Sequence, residues 1–416
     1  MADKELDDES HWEVDGIEDP EEIRVIFCAI DSYIQYAKTA HFTTHSRRQA
    51  FYALPQAHWK LLAAPPFNYL QTLDKVDEAI DANAELSRAI VQTGLQNFVS
   101  SGAPGQELTI PPEWAGCAKY PDVDKARSTL RQFYRDWSAG GAAEREASYG
   151  PVMRALAEEK AAKGDGYGPL KVLVPGAGLG RLVFDLCLNG YDTEGNEISY
   201  HQLLASAYVL NSCDRPGKHT IYPWIHTFSN HQTRANHLRG YAVPDVHCHS
   251  ELTRVEQEGR KKGTMTMCAS DFLCLYNSDG YADMYDAVAS VFFLDTAPNL
   301  LRYLQTIFHC LKPGGVLINV GPLLWHFENN APGSHSGHDD DGADDREDGE
   351  GTTGIADPGS YELTDDEVMA LVKHVGFEIV WHETGIECPY IQDPDSMLQT
   401  VYQASAWLAR KPTGGA

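Results

Sequence analysis

Apolar and aromatic residues recur at helical intervals between Ile23 and Ala40 (Ile26, Phe27, Ile30, Tyr33, Ile34, Tyr36, Ala37), which predicts a helix with a wide buried face. The same period continues over His45–Leu54 and Asp74–Val99, with breaks at Pro65-Pro66 and Ser101–Gly105, and returns from Asp122 to about Lys163. Residues 24–163 are therefore expected to form a helical N-terminal subdomain. Past a linker at Gly164–Pro169 the pattern changes. Lys171–Val174 is a short run rich in β-branched residues, as in a parallel strand buried on both faces, and Leu182, Val183, Leu186 and Cys187 then share one helical face. Further strands are predicted at Met265–Ala269, Asp286–Leu294, Val316–Val320, Phe377–His382 and Val401–Ala409. Helices are predicted at Tyr200–Leu210, Leu300–Leu311 and Thr364–Val375, the last opened by Thr364 with Glu367 three residues on. Helix between strands predicts an α/β fold with a doubly wound, mostly parallel sheet over residues 164–412.

Charge alters this picture only locally. The formal net charge is −27, but residues 1–23 carry −10 and residues 339–350 carry −7, leaving −10 for the remainder. The leader 1–23 and a Gly/Asp/Ser/His-rich insertion at 331–359 are expected to be solvated and disordered, because neither can bury enough apolar surface to order itself. No basic cluster suits a nucleic-acid partner, and Arg260-Lys261-Lys262 is too short to serve. No apolar run is long enough for a membrane span, and the N-terminus is acidic where a targeting peptide would be basic. The nine cysteines are scattered without a C-x-x-C pair, which favours reduced thiols in the cytosol or nucleus. His247-Cys248-His249 reads as a polar loop and not as a metal site, since no second ligand pair accompanies it; His335 and His338 have no core to fix them.

Candidate chemistry centres on the strand–turn–helix at 171–188. Gly176, Gly178 and Gly180 let a ligand approach bare backbone at a helix N-terminus, and Glu197, after the next strand, is placed to accept from ribose hydroxyls. The spacing is G-x-G-x-G, and Arg181 stands where a dinucleotide fingerprint requires its third glycine. Asp271-Phe272 follow the third strand at the sheet edge where such folds bind ligands: an adenine can lie on Phe272 while Asp271 accepts from its amine. Gln132 and Arg135 share a helical face. Tyr222-Pro223-Trp224-Ile225-His226 is an aromatic loop that no periodicity explains.

In this order, G-x-G-x-G, Glu197, Asp271-Phe272 and Leu311-Lys312-Pro313-Gly314-Gly315 resemble class I S-adenosylmethionine-dependent methyltransferases. More narrowly, VPGAGLGRL, GNE, YPWIH-F-SN, DF, FFLDTA-N, LKPGG and GPLL-HFEN resemble the carnosine N-methyltransferase family, from about residue 24 to the C-terminus apart from the insertion. The resemblance implies a Rossmann-like sheet with an antiparallel last strand, S-adenosylmethionine as cofactor, and a dipeptide substrate such as carnosine. It implies cofactor contacts from Gln132, Arg135, Gly176, Gly178, Glu197, Asp271 and Phe272, with Arg135 on the cofactor carboxylate. It assigns Asp295, His326 and Tyr402 to substrate binding and catalysis. Methylation of another small imidazole or of a protein histidine stays open, as does a catalytically silent cofactor-binding module. No metal, nucleic acid or membrane is expected, and the assembly state, monomer or homodimer, is left open.

Overall fold

The computed structural model describes residues 19–98, 108–164, 166–329 and 354–414. Its helical part begins with α1 (Pro20–Tyr52), in which the two predicted stretches 23–40 and 45–54 are one continuous helix. A short α2 (Gln56–Ala63), not anticipated from the pattern, leads to α3 (Tyr69–Phe98). The region from 122 to 163 is two helices, α4 (Tyr120–Trp137) and α5 (Ala142–Lys163), parted by Ser138, whose hydroxyl accepts from the Gly141 amide at 3.2 Å.

The sheet part contains β1 (Lys171–Pro175), α6 (Arg181–Leu188), β2 (Asp192–Glu197) and α7 (Tyr200–Ala207). These are followed by β3 (His219–Ile221), α8 (Arg234–His237), β4 (Tyr241–Val243), α9 (Cys248–Gln257), β5 (Met265–Ala269) and α10 (Phe272–Tyr276). The chain closes with β6 (Tyr285–Val291), α11 (Leu300–Cys310), β7 (Leu311–Gly321), α12 (Asp365–Val375), β8 (Glu378–Pro389) and β9 (Val401–Arg410). Seven strands form one sheet in the order β5-β2-β1-β6-β7-β9-β8, and β3 pairs with β4 in a separate ribbon. Pairs β2/β5, β1/β2, β1/β6 and β6/β7 are parallel, whereas β9 runs antiparallel to both β7 and β8. This is the expected doubly wound sheet with an antiparallel last strand.

Three local expectations are corrected. The strand expected over 286–294 ends at Val291, because Phe292 takes φ 53° and turns the chain out of the sheet before the 3-10 turn Leu294–Thr296. The residues around His247-Cys248-His249 are not a loop: Cys248 opens α9 with its thiol buried against the Val209 carbonyl. The expected insertion lies outside the described residues up to 353, but its last part does not follow the expectation of a solvated segment. Gly354–Ala356 is a 3-10 turn whose Ile355 amide donates to Asp271 Oδ2 at 2.8 Å, and Asp357 pairs with Arg302. The capping box of α12 is present, with Glu367 Oε2 accepting from the Thr364 amide at 2.9 Å.

The helices and the sheet share a core. One cluster joins Ile30, Tyr33 and Ile90 to Phe133, Trp137, Phe184 and Leu204. Tyr33 donates its hydroxyl to the His201 carbonyl at 2.7 Å, and the Trp137 indole donates to the Leu179 carbonyl, in the glycine turn, at 3.1 Å. The first bond ties α1 to α7, and the second seats the end of α4 beside the glycine turn at the carboxyl end of β1. Among the described residues no helix is long and apolar enough to cross a membrane.

Candidate active site

In an open parallel sheet the ligand crevice lies outside the carboxyl ends of the strands where their order reverses, here between β1 and β6. A cavity of about 350 Å³ occupies that place. Gly176 and Gly178 follow β1, Glu197 ends β2, Asp271 and Phe272 follow β5, His326 follows β7, and Gln132 and Arg135 reach in from α4; all eight line it.

The glycine turn is demanded by geometry. Gly176 and Gly178 have φ of 65° and 57°, where a Cβ is strained. A Cβ on Gly176 would also stand 2.7 Å from Phe293 Cδ2, and one on Gly178 would stand 3.0 Å from Gln132 Nε2. Bare backbone is thereby left on the cavity floor.

Two carboxylates border it. Glu197 Oε2 accepts from the Gly178 amide at 2.9 Å, while Oε1 accepts from Ile198 and Ser199 at 2.9 and 2.8 Å. Burial pushes the Glu197 carboxyl up despite the lowering effect of these three amides. Asp271 caps α10, taking the Leu273 and Cys274 amides at 2.8 and 3.2 Å on Oδ1 and Ile355 on Oδ2. Among the described residues Glu197 thus keeps an acceptor position on Oε2, whereas the Asp271 carboxylate also takes the Cys274 side chain and lies under the Gly354 backbone.

Arg135 does not stand alone. Its Nε donates to Asp136 Oδ1 at 2.7 Å and its guanidinium lies 4.8 Å from the centre of the Tyr390 ring. Burial alone would lower its pKa, but Asp136, Tyr390 and Tyr149 outweigh this and hold it above its ordinary value. Gln132 donates to the same Asp136 at 3.1 Å. Asp136 and Tyr390 went unassigned in the sequence. Asp136 was visible only as the neighbour of Arg135, and no local pattern marks Tyr390, which reaches the site from the end of β8.

The three residues expected to handle substrate are placed unevenly. His326 lines the cavity, and burial lowers its pKa. Asp295 and Tyr402 do not line it. Asp295 is buried in the 3-10 turn after β6: its carboxylate accepts from the Leu324 amide at 3.0 Å, its carbonyl accepts from the His326 amide at 3.2 Å, and burial raises its pKa to about 6. Tyr402 sits at the start of β9, which arrives at this edge because it is antiparallel to β7. Its ring lies 5.9 Å from Phe292 and 6.3 Å from Tyr390, both of which line the cavity. The aromatic loop residues Tyr222, Trp224 and His226 line none of this cavity and belong to the β3–β4 connection. Among the described residues no group of His, Cys, Asp and Glu is arranged to hold a metal ion.

Bare backbone at Gly176 and Gly178, the aromatic wall of Phe272 and Phe293, the Glu197 carboxylate with an acceptor to spare, Asp271 at the cavity edge and a buried guanidinium suit an adenosine with an amino-acid tail. The family profile described as Carnosine N-methyltransferase matches residues 112–413. The carnosine N-methyltransferase of Schizosaccharomyces pombe is 32% identical over 393 residues, covering 94% of this chain and 97% of that protein. That of Mus musculus is 32% identical over 385 residues, covering 92% and 85% respectively. The chain belongs to the carnosine N-methyltransferase family, and S-adenosylmethionine is its methyl donor.

Proposed function

We propose that this enzyme methylates an imidazole nitrogen of a histidine-containing dipeptide such as carnosine. The observation that carries the reading is that Asp295, a buried carboxylate at the end of β6, is bonded through its carbonyl to His326, which lines the same cavity as Gly176, Glu197 and Phe272. Relatives whose names carry the carnosine activity support the substrate class.

Gln132, Arg135, Gly176, Gly178, Glu197, Asp271 and Phe272 hold the cofactor, with Glu197 on the ribose and Arg135 on the carboxylate. Bound there, S-adenosylmethionine supplies an electrophilic methyl group on a sulfonium sulfur. The protein's part is to desolvate and aim a nucleophile that is competent already. Asp295 accepts the N–H of one imidazole nitrogen, which fixes the tautomer and leaves the lone pair of the other toward the methyl group. Its pKa of about 6 also fits it to take up that proton once the ring has been methylated. His326 and Tyr402 position the ring from either side, with Tyr402 acting beside the Phe292 and Tyr390 rings.

The test is transfer of label from the methyl-labelled cofactor to a panel of carnosine, free histidine, simple imidazoles and cell-extract protein. Carnosine is expected to take the label, with one ring nitrogen modified. Label on protein alone would replace the dipeptide by a histidine side chain as substrate, and no transfer to any member would overturn the reading.

A further inference from the structure

A second cavity, about 290 Å³, lies on the helical side, between α4 and the Tyr222–His226 loop. It is lined by Arg127, Ser128 and Arg131 of α4 and by Trp224 and His226 of the loop, with Asp124 as its acid. Asp124 is already paired with Arg127. Arg131 makes no ion pair or hydrogen bond with a described residue, although the chain as a whole carries a net charge of −27.

The loop adds donors. The Tyr222 amide donates to Asn83 Oδ1 at 2.7 Å, which fixes the orientation of that amide side chain, and Asn83 Nδ2 donates to the Tyr36 hydroxyl at 3.0 Å. With Tyr36 accepting from Asn83, its own proton is left for His226 Nε2, 2.9 Å away, and in that arrangement the imidazole proton resides on Nδ1. Burial lowers the pKa of His226 to about 3, so the ring is neutral, and its Nδ1 makes no hydrogen bond with a described residue. Trp224 is 5% exposed, and its indole N–H has no hydrogen-bond partner among the described residues. A buried donor left without an acceptor is destabilising, so such a group calls for one. An unpaired guanidinium, an indole N–H and an imidazole N–H around one space select an anion, and a planar carboxylate matches the guanidinium fork.

Along α4 this space lies one helical turn from the cofactor cavity. Arg127, Arg131 and Arg135 stand at i, i+4 and i+8 on α4, a like-charge row that weakens an isolated helix, and Arg135 lines the cofactor cavity. Burial lowers the pKa of Arg131, and Tyr390, the ring on which Arg135 stacks, is among the groups close enough to act on it. One such step along the helix is about 6 Å. An extended dipeptide spans about 7 Å. We propose that this cavity binds the carboxylate end of the peptide substrate, with Arg131 as its ion-pair partner and the Trp224 and His226 N–H groups as its hydrogen-bond donors. The inference rests on the dipeptide reading above and makes this cavity the part of the site that separates a histidine dipeptide from a bare imidazole.

The test compares β-alanyl-histidine with its C-terminal amide for wild type, Arg131→Gln and Trp224→Phe. Wild type is expected to show a KM at least ten times lower for the acid than for the amide. Arg131→Gln should raise KM for the acid about ten- to a hundredfold, leave the amide unchanged and leave the affinity for S-adenosylhomocysteine unchanged. Trp224→Phe, which removes only the N–H, should raise KM for the acid alone by a few-fold. Equal KM values for acid and amide in wild type would overturn the carboxylate site while the methylation reading stands. Equal losses on both peptides in Arg131→Gln would assign Arg131 a structural role and overturn it as well. Methylation of neither peptide would overturn the dipeptide reading, and the carboxylate site with it.

Discussion

Asp295 and His326, on the loops after β6 and β7, are clasped through the main chain, the His326 amide donating to the Asp295 carbonyl at 3.2 Å while the Leu324 amide donates to the Asp295 carboxylate at 3.0 Å. Burial on the same turn raises the Asp295 pKa from 3.8 to about 6. Ionising this carboxylate therefore costs the folded state stability: the cost is absent below about pH 4, grows as pH rises through about 6, and is complete above it. Asp295→Asn should raise stability at pH 7 by on the order of 1–3 kcal/mol and remove that pH dependence. The same variant should lose about a hundredfold or more in methyl transfer, through misalignment of the reacting nitrogen, with cofactor affinity intact. Calorimetric melts across pH together with turnover decide this; a destabilised variant at pH 7 would refute the burial cost.

Glu197 offers one remaining acceptor beside three backbone amides. Glu197→Ala should weaken binding of S-adenosylhomocysteine by about 1.5–3 kcal/mol. Glu197→Gln, which keeps one carbonyl acceptor, should lose less and should be less destabilised than the alanine variant. Titration calorimetry gives the affinities, and an unchanged value for Glu197→Ala would remove this residue from the ribose.

Asp136 neutralises Arg135 from a fully buried position. Asp136→Asn keeps the shape but strands the guanidinium, so stability should fall by on the order of 3 kcal/mol. Cofactor binding should weaken too, because Gln132 and Arg135 are both held by this carboxylate. A melting temperature equal to wild type would mean that Arg135 finds another partner.

Gly176→Ala meets two obstacles, a left-handed φ of 65° and the Phe293 ring 2.7 Å from the new methyl group. A loss of about 1–2 kcal/mol is expected from the backbone alone. Phe293→Leu in the same chain should restore part of the remaining loss but not the backbone share. Full restoration in the denaturation midpoint would show that φ contributes nothing.

Much of this architecture was legible because its signals are short-range. The α12 capping box needs only Thr364 and Glu367 on one turn, and the parallel strands declare themselves as runs such as Val172–Val174. The glycine turn, Glu197 and Asp271-Phe272 could be placed at one sheet edge because alternation of helix and strand brings every parallel strand's carboxyl end to the same side.

What periodicity could not supply depends on partners far apart in the chain. Phe292 is apolar and continues the strand pattern, yet it leaves the sheet at φ 53°, where its ring packs with Tyr390 and Tyr402 and its amide donates to the Val320 carbonyl at 2.9 Å. Nothing near Tyr390 announces that it will lie under Arg135, since the two meet only after β8 and α4 have packed at the same edge. Likewise Gly354 and Ile355 read as the end of a polar insertion until their backbone closes over Asp271. Residue patterns along the chain fix which elements form and which carboxyl ends carry chemistry, because helix and strand periods act over a few residues. Pairings such as Arg135 with Tyr390, or Asp295 with His326, arise from long-range packing that a one-dimensional pattern does not encode.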